Sequence, residues 1–231
     1  MCEPVTVYPR KVARLLASAA VTTIVVLAGV IAPPMAAAAS CPDVDVIFAR
    51  GTGERPGLGG VGSQFISKLR AKLRGKKITV YPVNYPASYN FSRSASAGAA
   101  DASAHIRYAT TVCPETRLVL GGMSQGSGVV NLITAGQRRL WFLTPSPLPT
   151  GTARHVAAVA VFANPARNIP TLGPLARVSR EYGNKSIDLC APGDPFCSGG
   201  RNFFAHFAYT WNGMVDQAAT FTANRILASP N

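Results

Sequence analysis

The segment "RLVLGGMSQGSGVVNLIT", residues 117–134, runs from an apolar stretch through a cluster of small residues into a second apolar stretch. Its first part predicts a buried β-strand over 116–124. The residues after it predict a helix over 125–140. Small residues on both sides of Ser124 would let the strand and the helix approach closely. The segment therefore predicts a strand, a tight turn bearing one serine, and a helix.

The same alternation of strand and helix continues along the rest of the chain. Further strands are predicted at 44–51, 77–86, 155–165 and 185–190, and further helices around 65–74, 92–111 and 209–227. A glycine-rich loop is predicted at 52–62. Strands that alternate with helices indicate an α/β fold with a largely parallel sheet. No internal repeat and no linker divides the chain, so we expect one domain over 41–231.

The first 40 residues predict a secretory signal peptide. Arg10, Lys11 and Arg14 precede an apolar run over 15–32, and small residues with cleavage options near 37–39 follow it. The alternatives are an uncleaved membrane anchor and a lipoprotein whose cysteine directly follows the leader. We expect a secreted protein, either free or associated with the cell wall.

The chain has 231 residues and a formal net charge of +13. The leader holds three basic residues and one acid, so its removal leaves +11. Outside the cell, such a basic surface could contact anionic lipid or an acidic cell wall. The basic run at 68–77 is either a solvated helix face or such a contact. No nucleic-acid motif is present, and we expect a monomer without a nucleic-acid partner.

Four cysteines follow the leader: Cys41, Cys113, Cys190 and Cys197. An even number in an exported chain indicates two disulfides, for which three pairings exist. The spacing in "CAPGDPFC", 190–197, fits neither a zinc finger nor a CxxC redox motif. A Cys190–Cys197 bridge is therefore the favoured interpretation, and it would leave Cys41 to pair with Cys113.

The pentapeptide Gly122–Gly126 has the pattern G-x-S-x-G at the predicted strand-to-helix junction. A nucleophile there sits on a strained turn, and the helix N-terminus directs its amides at a developing oxyanion. Ser124 is therefore the candidate nucleophile. A closely packed, glycine-rich helix start is the alternative. A phosphate-binding loop fits less well, because no lysine follows the glycines.

A catalytic serine needs a base, and the base needs an orienting acid. In an α/β-hydrolase these follow the serine in the order acid, then histidine. Of the three histidines, His105 precedes Ser124 and His155 precedes every acid candidate. Only His206 is in the required position, so it is the candidate base. A packed histidine within an aromatic cluster is the alternative.

Three acids lie between the serine and His206: Glu181, Asp188 and Asp194. Glu181 lies in an irregular polar stretch, and Asp188 lies within the predicted strand over 185–190. Asp194 follows the carboxyl end of that strand, where active sites form in open parallel sheets. Asp194 is therefore the candidate acid.

The remaining requirement is a pair of donors for the oxyanion. One is the amide of Gln125, directly after the serine, and the other should come from a loop near the first strand. The run "RGTGE", 50–54, ends that strand at the same sheet edge, and Thr52 offers an amide and a hydroxyl. A plain flexible loop is the alternative.

In combination these segments resemble the cutinase family, and especially the cutinase-like serine esterases of mycobacteria. The resemblance spans 41–228 and rests on four segments in order, "FARGTGE", "GGMSQGSGVV", "DLCAPGDPFC" and "HFAYTW". Two positions depart from the fungal members: Met123 stands where they tend to have tyrosine, and Thr52 stands where they carry serine.

The resemblance implies a small α/β-hydrolase with a five-stranded parallel sheet and no large lid. It implies no metal and no cofactor. By position it implies Ser124 as nucleophile, Asp194 as acid and His206 as base, Thr52 and Gln125 as oxyanion donors, and the disulfides Cys41–Cys113 and Cys190–Cys197.

The function expected from this resemblance is a secreted serine carboxylic-ester hydrolase that cleaves short-to-medium-chain acyl esters or lipids. The alternatives are a phospholipase or thioesterase with the same triad, and a non-catalytic cell-surface binding protein on a hydrolase scaffold. The apolar candidates for the pocket rim, each with ordinary packing as the alternative, are Leu148, Leu172, Leu175 and Phe196.

Overall fold

A computed structural model of the chain describes residues 40–135, 143–169 and 173–228. The predicted signal peptide, apart from Ser40, lies outside the described residues. So do the last residues of the helix predicted over 125–140.

The centre of the domain is a five-stranded sheet in which every neighbouring pair is parallel, as predicted. The strand order is β2-β1-β3-β4-β5. The strands are β1 Val44–Ala49, β2 Ile78–Pro82, β3 Arg117–Met123, β4 Val156–Phe162 and β5 Ser186–Leu189. Strands β1 and β4 are buried along their whole length, as expected for central parallel strands covered on both faces.

Helices cover both faces of the sheet. They are α1 Gly59–Lys72, α2 Phe91–Val112, α3 Gln125–Thr134, the one-turn α4 Leu175–Val178 and α5 Met214–Ala228. Helices α1 and α5 pack together on one face, and α2 and α3 pack together on the other. Successive strand residues point to opposite faces. In β1, Phe48 accordingly belongs to the core under α1 and α5, and Ile47 to the core under α2 and α3.

Two predicted helix boundaries are wrong. Helix α1 begins at Gly59, inside the run that was predicted as a loop over 52–62. Helix α5 begins at Met214, because residues 203–210 form a separate 3₁₀ helix. Gly213, at φ 84°, separates the two helices. A left-handed residue cannot continue a right-handed helix, so the turn restarts the chain in a new direction.

Both predicted disulfides are present. Cys41–Cys113 links the segment before β1 to the end of α2. Cys190–Cys197 closes the loop that follows β5.

The strand order places its reversal point at the carboxyl ends of β1 and β3. The connection from β1 leads to β2 on one side, and the connection from β3 leads to β4 on the other, and ligands of open parallel sheets bind at such a point. At the opposite, amino-terminal edge, Ser40, Arg117 and Ile226 line a surface hollow. Within the described ranges, no helix has both the length and the apolar character to cross a membrane.

Candidate active site

Ser124 occupies the turn between β3 and α3 with φ 53° and ψ −115°. A non-glycine residue rarely adopts a positive φ, and such strain is typical of functional turns. A Cβ on Gly122 would collide with the backbone of Gly126, and a Cβ on Gly126 would collide with the carbonyl of Ala49. The two glycines of the G-x-S-x-G pattern therefore allow helix α3 to start directly against β3 and the end of β1.

His206 lies on the 3₁₀ helix Phe203–Thr210, where the Asn202 side chain accepts from the amide of Phe204. Its Nε2 is 3.1 Å from Oγ of Ser124, and its Nδ1 is 2.9 Å from Oδ2 of Asp194. A carboxylate only accepts hydrogen bonds, so the ring proton belongs on Nδ1. The lone pair on Nε2 then faces the serine hydroxyl. The ring is 8% exposed.

Asp194 is fully buried at 0% exposure, on the loop closed by Cys190–Cys197. Its Oδ2 accepts from His206 and from the Tyr209 hydroxyl at 2.8 Å. Its Oδ1 accepts from the amide of Phe196 at 2.8 Å. Three hydrogen bonds thus replace the water that the carboxylate loses on burial.

The other acid candidates do not reach the histidine. Asp188, on β5, accepts from Nδ2 of Asn164 at 2.8 Å and lies 3.4 Å from Nη1 of Arg167. Burial raises the pKa of the Asp188 carboxyl, and the hydrogen bond from Asn164 and the charge of Arg167 oppose that rise. Glu181 is exposed.

The other histidines have structural partners away from the serine. His105 pairs with Asp45 at 2.8 Å and stacks on Tyr81, with 3.6 Å between ring centroids. Nδ1 of His155 is 2.9 Å from the carbonyl of Pro114. Among the residues that the structure describes, no group of three His, Cys, Asp or Glu side chains is arranged to hold a metal ion.

The end of β1 lies beside the serine turn. A Cβ on Gly51 would be 3.5 Å from Cγ of Met123, the residue before the serine. Thr52 follows on this loop and is partly buried. Gln125 is the first residue of α3, so its amide has no acceptor within the helix. The loop that carries Thr52 thus lies beside the serine turn, and Gln125 directly follows the serine.

Residues 40–226 match the family model for cutinase. The chain belongs to the cutinase family. Among its relatives, Carboxylesterase Culp1 of Mycobacterium tuberculosis is 43% identical over 94% of this chain and 97% of that protein. Phospholipase Culp4 of the same organism is 45% identical over 94% of this chain and 92% of that protein.

Solved structures agree with this assignment. A cutinase from Trichoderma reesei in complex with a C11Y4 phosphonate inhibitor is 30% identical, with a TM-score of 0.63 over 80% of this chain and 77% of that one. The catalytic core domain of acetyl xylan esterase from the same organism, 23% identical with a TM-score of 0.67, covers 80% of this chain and 100% of that one, and it shows the shared fold. This member of the cutinase family is an esterase of the small α/β-hydrolase type.

Several hydrogen bonds tie the loop after β1 to its surroundings. Arg50 is only 3% exposed, and its guanidinium donates to the carbonyl of Glu54 at 2.8 Å and of Tyr85 at 2.7 Å. The Glu54 carboxylate accepts from the amides of Gly51 at 2.5 Å and Gly60 at 2.7 Å. These hydrogen bonds favour an ordered loop over the alternative of a plain flexible one. Arg50 and Glu54 were not predicted as supporting residues, because a charged residue in a loop ordinarily indicates an exposed position.

The Gln125 side chain makes further supporting hydrogen bonds that were not predicted from the sequence. It accepts from Oγ of Ser94 and donates to the carbonyl of Ser88, each at 2.8 Å. Ser94 lies in the first turn of α2. The side chain therefore fixes the start of α3 to the start of α2 and with it the direction of the Gln125 amide.

Exposed aromatic side chains lie beside His206. The Phe196 ring, 43% exposed, lies 4.4 Å from the ring of His206, and the exposed Phe207 ring lies 5.7 Å from it. We call the exposed aromatic residues of this segment the aromatic rim: Phe196, Phe203, Phe204, Phe207 and Trp211.

The predicted rim residues have different outcomes. Phe196 belongs to the aromatic rim. Leu175 is fully buried in the core under α2 and α3, so its assignment to a pocket rim is wrong. Leu148 is partly buried against the same core. Leu172 lies outside the described residues.

Proposed function

We propose that this protein hydrolyses carboxylic esters through an acyl-enzyme formed on Ser124. The observation that supports this most is the continuous chain of hydrogen bonds from Ser124 through His206 to Asp194, at 3.1 and 2.9 Å. A hydroxyl, a base and an orienting acid in this order are the requirements for an activated serine nucleophile.

In the first half of the reaction, Oγ of Ser124 attacks the acyl carbonyl while Nε2 of His206 takes its proton. The resulting imidazolium gives that proton to the leaving alcohol, and an acyl ester remains on the serine. A water molecule then attacks the acyl-enzyme while His206 again acts as base, and the carboxylic acid is released. Throughout, Asp194 holds the ring with the proton on Nδ1 and stabilises the imidazolium.

The amides of Gln125 and Thr52 bind the oxyanion of each tetrahedral intermediate. Both lie at the start of α3 or beside it, and the helix N-terminus adds its partial positive charge. Losing one such donor typically costs about 3 kcal/mol of transition-state stabilisation. The hydrogen bonds of the Arg50 and Gln125 side chains hold these donors in place before substrate binds.

The substrates we propose are short-to-medium-chain acyl esters or lipids. The aromatic rim supports this, since exposed rings beside the histidine offer an apolar surface for an acyl chain. A phospholipase activity with the same triad is a second candidate, favoured by the likeness to a relative named as a phospholipase.

We propose further that residues 1–40 direct export and are removed, so that the domain over 41–231 acts outside the cell, free or at the cell wall. Two disulfides in a domain of this size support an oxidising compartment. The mature domain would act as a monomer, and its basic surface would contact anionic lipid or cell wall.

A fluorophosphonate probe tests the central proposal. The wild-type protein should be labelled and inactivated, and Ser124→Ala should be neither labelled nor active. Absence of labelling, or labelling that persists in Ser124→Ala, would support a non-catalytic binding protein instead. A chain-length series of nitrophenyl esters, run beside a phospholipid and a triacylglycerol, then separates the substrate classes.

A further inference from the structure

Tyr209 is fully buried and lies three residues after His206 on the same 3₁₀ helix. Such a helix has three residues per turn, so side chains at i and i+3 lie on one face, one above the other. Tyr209 therefore faces the same carboxylate as His206. The reaction proposed above makes no use of it.

The Tyr209 hydroxyl makes two short hydrogen bonds, and Sγ of Cys197 lies farther away at 3.4 Å. It is 2.8 Å from Oδ2 of Asp194 and 2.9 Å from the amide nitrogen of Ala191. The hydroxyl has one proton, and the carboxylate can only accept, so it donates to Asp194 and accepts from Ala191. Burial raises the pKa of the Tyr209 hydroxyl well above its usual range, so the group stays a donor at any working pH.

We propose that Tyr209 is a positioning residue that orients the Asp194 carboxylate and sets how strongly it accepts the proton of His206. This inference rests on the proposed roles of Asp194 and His206. It assigns to Tyr209 an effect on the rate through Asp194, without contact with substrate.

The buried surroundings of Asp194 make this hydrogen bond important. The carboxylate is 0% exposed, and its three partners are the His206 ring, the Tyr209 hydroxyl and the Phe196 amide. Without the hydroxyl, Oδ2 would accept a hydrogen bond from His206 alone. The carboxylate could then rotate, and more of its negative charge would act on the imidazole. A hydrogen bond to a carboxylate stabilises its charged form. Losing the bond from Tyr209 therefore raises the proton affinity of the Asp194–His206 pair.

Tyr209 also has a packing role, which the experiment must separate from the positioning role. Its ring packs edge-on against Phe162, with 6.2 Å between centroids. Phenylalanine at position 209 keeps that ring contact and removes only the hydroxyl. Tyr182 provides a matched control: it is also buried, and within the described part of the chain its hydroxyl has no hydrogen-bond partner.

The experiment measures kcat, KM and the pH dependence of kcat/KM for Tyr209→Phe and Tyr182→Phe with a soluble nitrophenyl ester. For Tyr209→Phe we expect kcat to fall about 10- to 100-fold, the loss of one hydrogen bond to a charged group. KM should stay within about twofold, and the acid limb of kcat/KM should move to higher pH. Tyr182→Phe should match the wild type. A wild-type kcat and pH profile in Tyr209→Phe would overturn the proposal.

Site-specific 3-fluorotyrosine at position 209 keeps the test decisive if Tyr209→Phe does not fold. It retains the ring and the hydroxyl, and its hydroxyl is a stronger donor. The acid limb should then move to lower pH, opposite in direction to Tyr209→Phe. An unmoved limb would overturn the proposal.

A double-mutant cycle asks whether Tyr209 acts through Asp194. In Asp194→Asn, adding Tyr209→Phe should cost little further activity, and full additivity of the two losses would contradict the proposal. Activity that survives Ser124→Ala would instead refute the catalytic proposal itself. If Ser124→Ala is inactive but Tyr209→Phe has the kcat and pH profile of the wild type, only the role of Tyr209 is refuted.

Discussion

Oγ of Ser124 lies 3.1 Å from Nε2 of His206, although 82 residues separate them in the chain. The parallel sheet explains their proximity, because β3 ends at Met123, directly before Ser124, and the loops beyond β5 reach the same edge. Neither side chain is placed by its own element alone. The serine depends on close packing between β3 and α3, and the histidine depends on the 3₁₀ helix 203–210. Substitutions in either support should therefore affect turnover.

The choice between the two acids can be tested by amide substitution. Asp194→Asn should lower kcat about 1,000- to 10,000-fold, because an amide can donate to Nδ1 of His206 and favour the wrong tautomer. Asp188→Asn should keep turnover near the wild-type value, since Asp188 binds Asn164 and not the histidine. Steady-state kinetics on both folded variants provide the measurement. Equal losses from the two substitutions would leave the assignment of Asp194 without support.

Asp188 should also make the stability depend on pH. Burial raises the pKa of its carboxyl in the folded state above the unfolded value of about 3.9. Above that value the folded state therefore holds more protons than the unfolded state, and the free energy of unfolding falls as pH rises. Asp188→Asn removes the carboxyl group and therefore this decrease in the free energy of unfolding. Urea unfolding between about pH 3.5 and 7 should show the free energy of unfolding of the variant rising relative to that of the wild type as pH increases. A pH-independent difference would contradict the prediction.

The two disulfides should have different effects. Loss of Cys190–Cys197 should reduce activity while the domain remains folded, because that loop holds Asp194. Loss of Cys41–Cys113, which spans 72 residues, should cost more stability, about 4 kcal/mol against about 2 kcal/mol on chain-entropy grounds. Paired Cys→Ser variants compared by kinetics and urea unfolding test both effects. Full activity with Cys190–Cys197 shown to be open would make that bridge purely structural.

Two glycines close to the serine form a matched pair. Gly126→Ala should abolish activity and destabilise the domain, because the new methyl would collide with the carbonyl of Ala49. Gly128→Ala meets open space in the same helix and should stabilise the fold by about 0.5–1 kcal/mol. Thermal unfolding of the two variants is the measurement. Similar changes in both would show that close approach at Gly126 is not required.

The aromatic rim should matter for aggregated substrates. Phe204→Ser and Trp211→Ser remove exposed rings of the aromatic rim and should lower hydrolysis of emulsified long-chain esters by about tenfold each, as expected for about 1.5 kcal/mol of lost apolar contact. Activity on a short soluble nitrophenyl ester should not change. Tyr108→Ser, an exposed ring on α2, is the control. An equal effect of all three substitutions would exclude a specific role of the rim.

Much of the fold could be predicted from the sequence because its signals are local. Apolar runs such as 44–49 and 156–162 identify central strands, and the order of Ser124 and His206 restricts the possible base to one residue. The start of α5 could not be predicted in this way. The aromatic residues of 203–210 resemble the first turns of a longer helix, and only the positive φ of Gly213 reveals the break.

The supporting residues of the site were harder to predict for a different reason. Arg50, Tyr209 and the Gln125 side chain act through contacts with distant parts of the chain, at separations of 35, 15 and 31 residues. A buried arginine is unusual, and a tyrosine in an aromatic run resembles ordinary core packing. Their roles become visible only when the partner carbonyl, carboxylate or hydroxyl is located in three dimensions.

The hollow at the amino-terminal edge of the sheet has a practical consequence. Ser40 and Ile226, near the two ends of the described domain, both line it, while Ser124 lies at the opposite edge. A covalent linker attached near either residue would leave the domain on a solid support with its serine facing the bulk liquid. Such an immobilised catalyst would be open to droplets and polymer films that a linker near the aromatic rim would block.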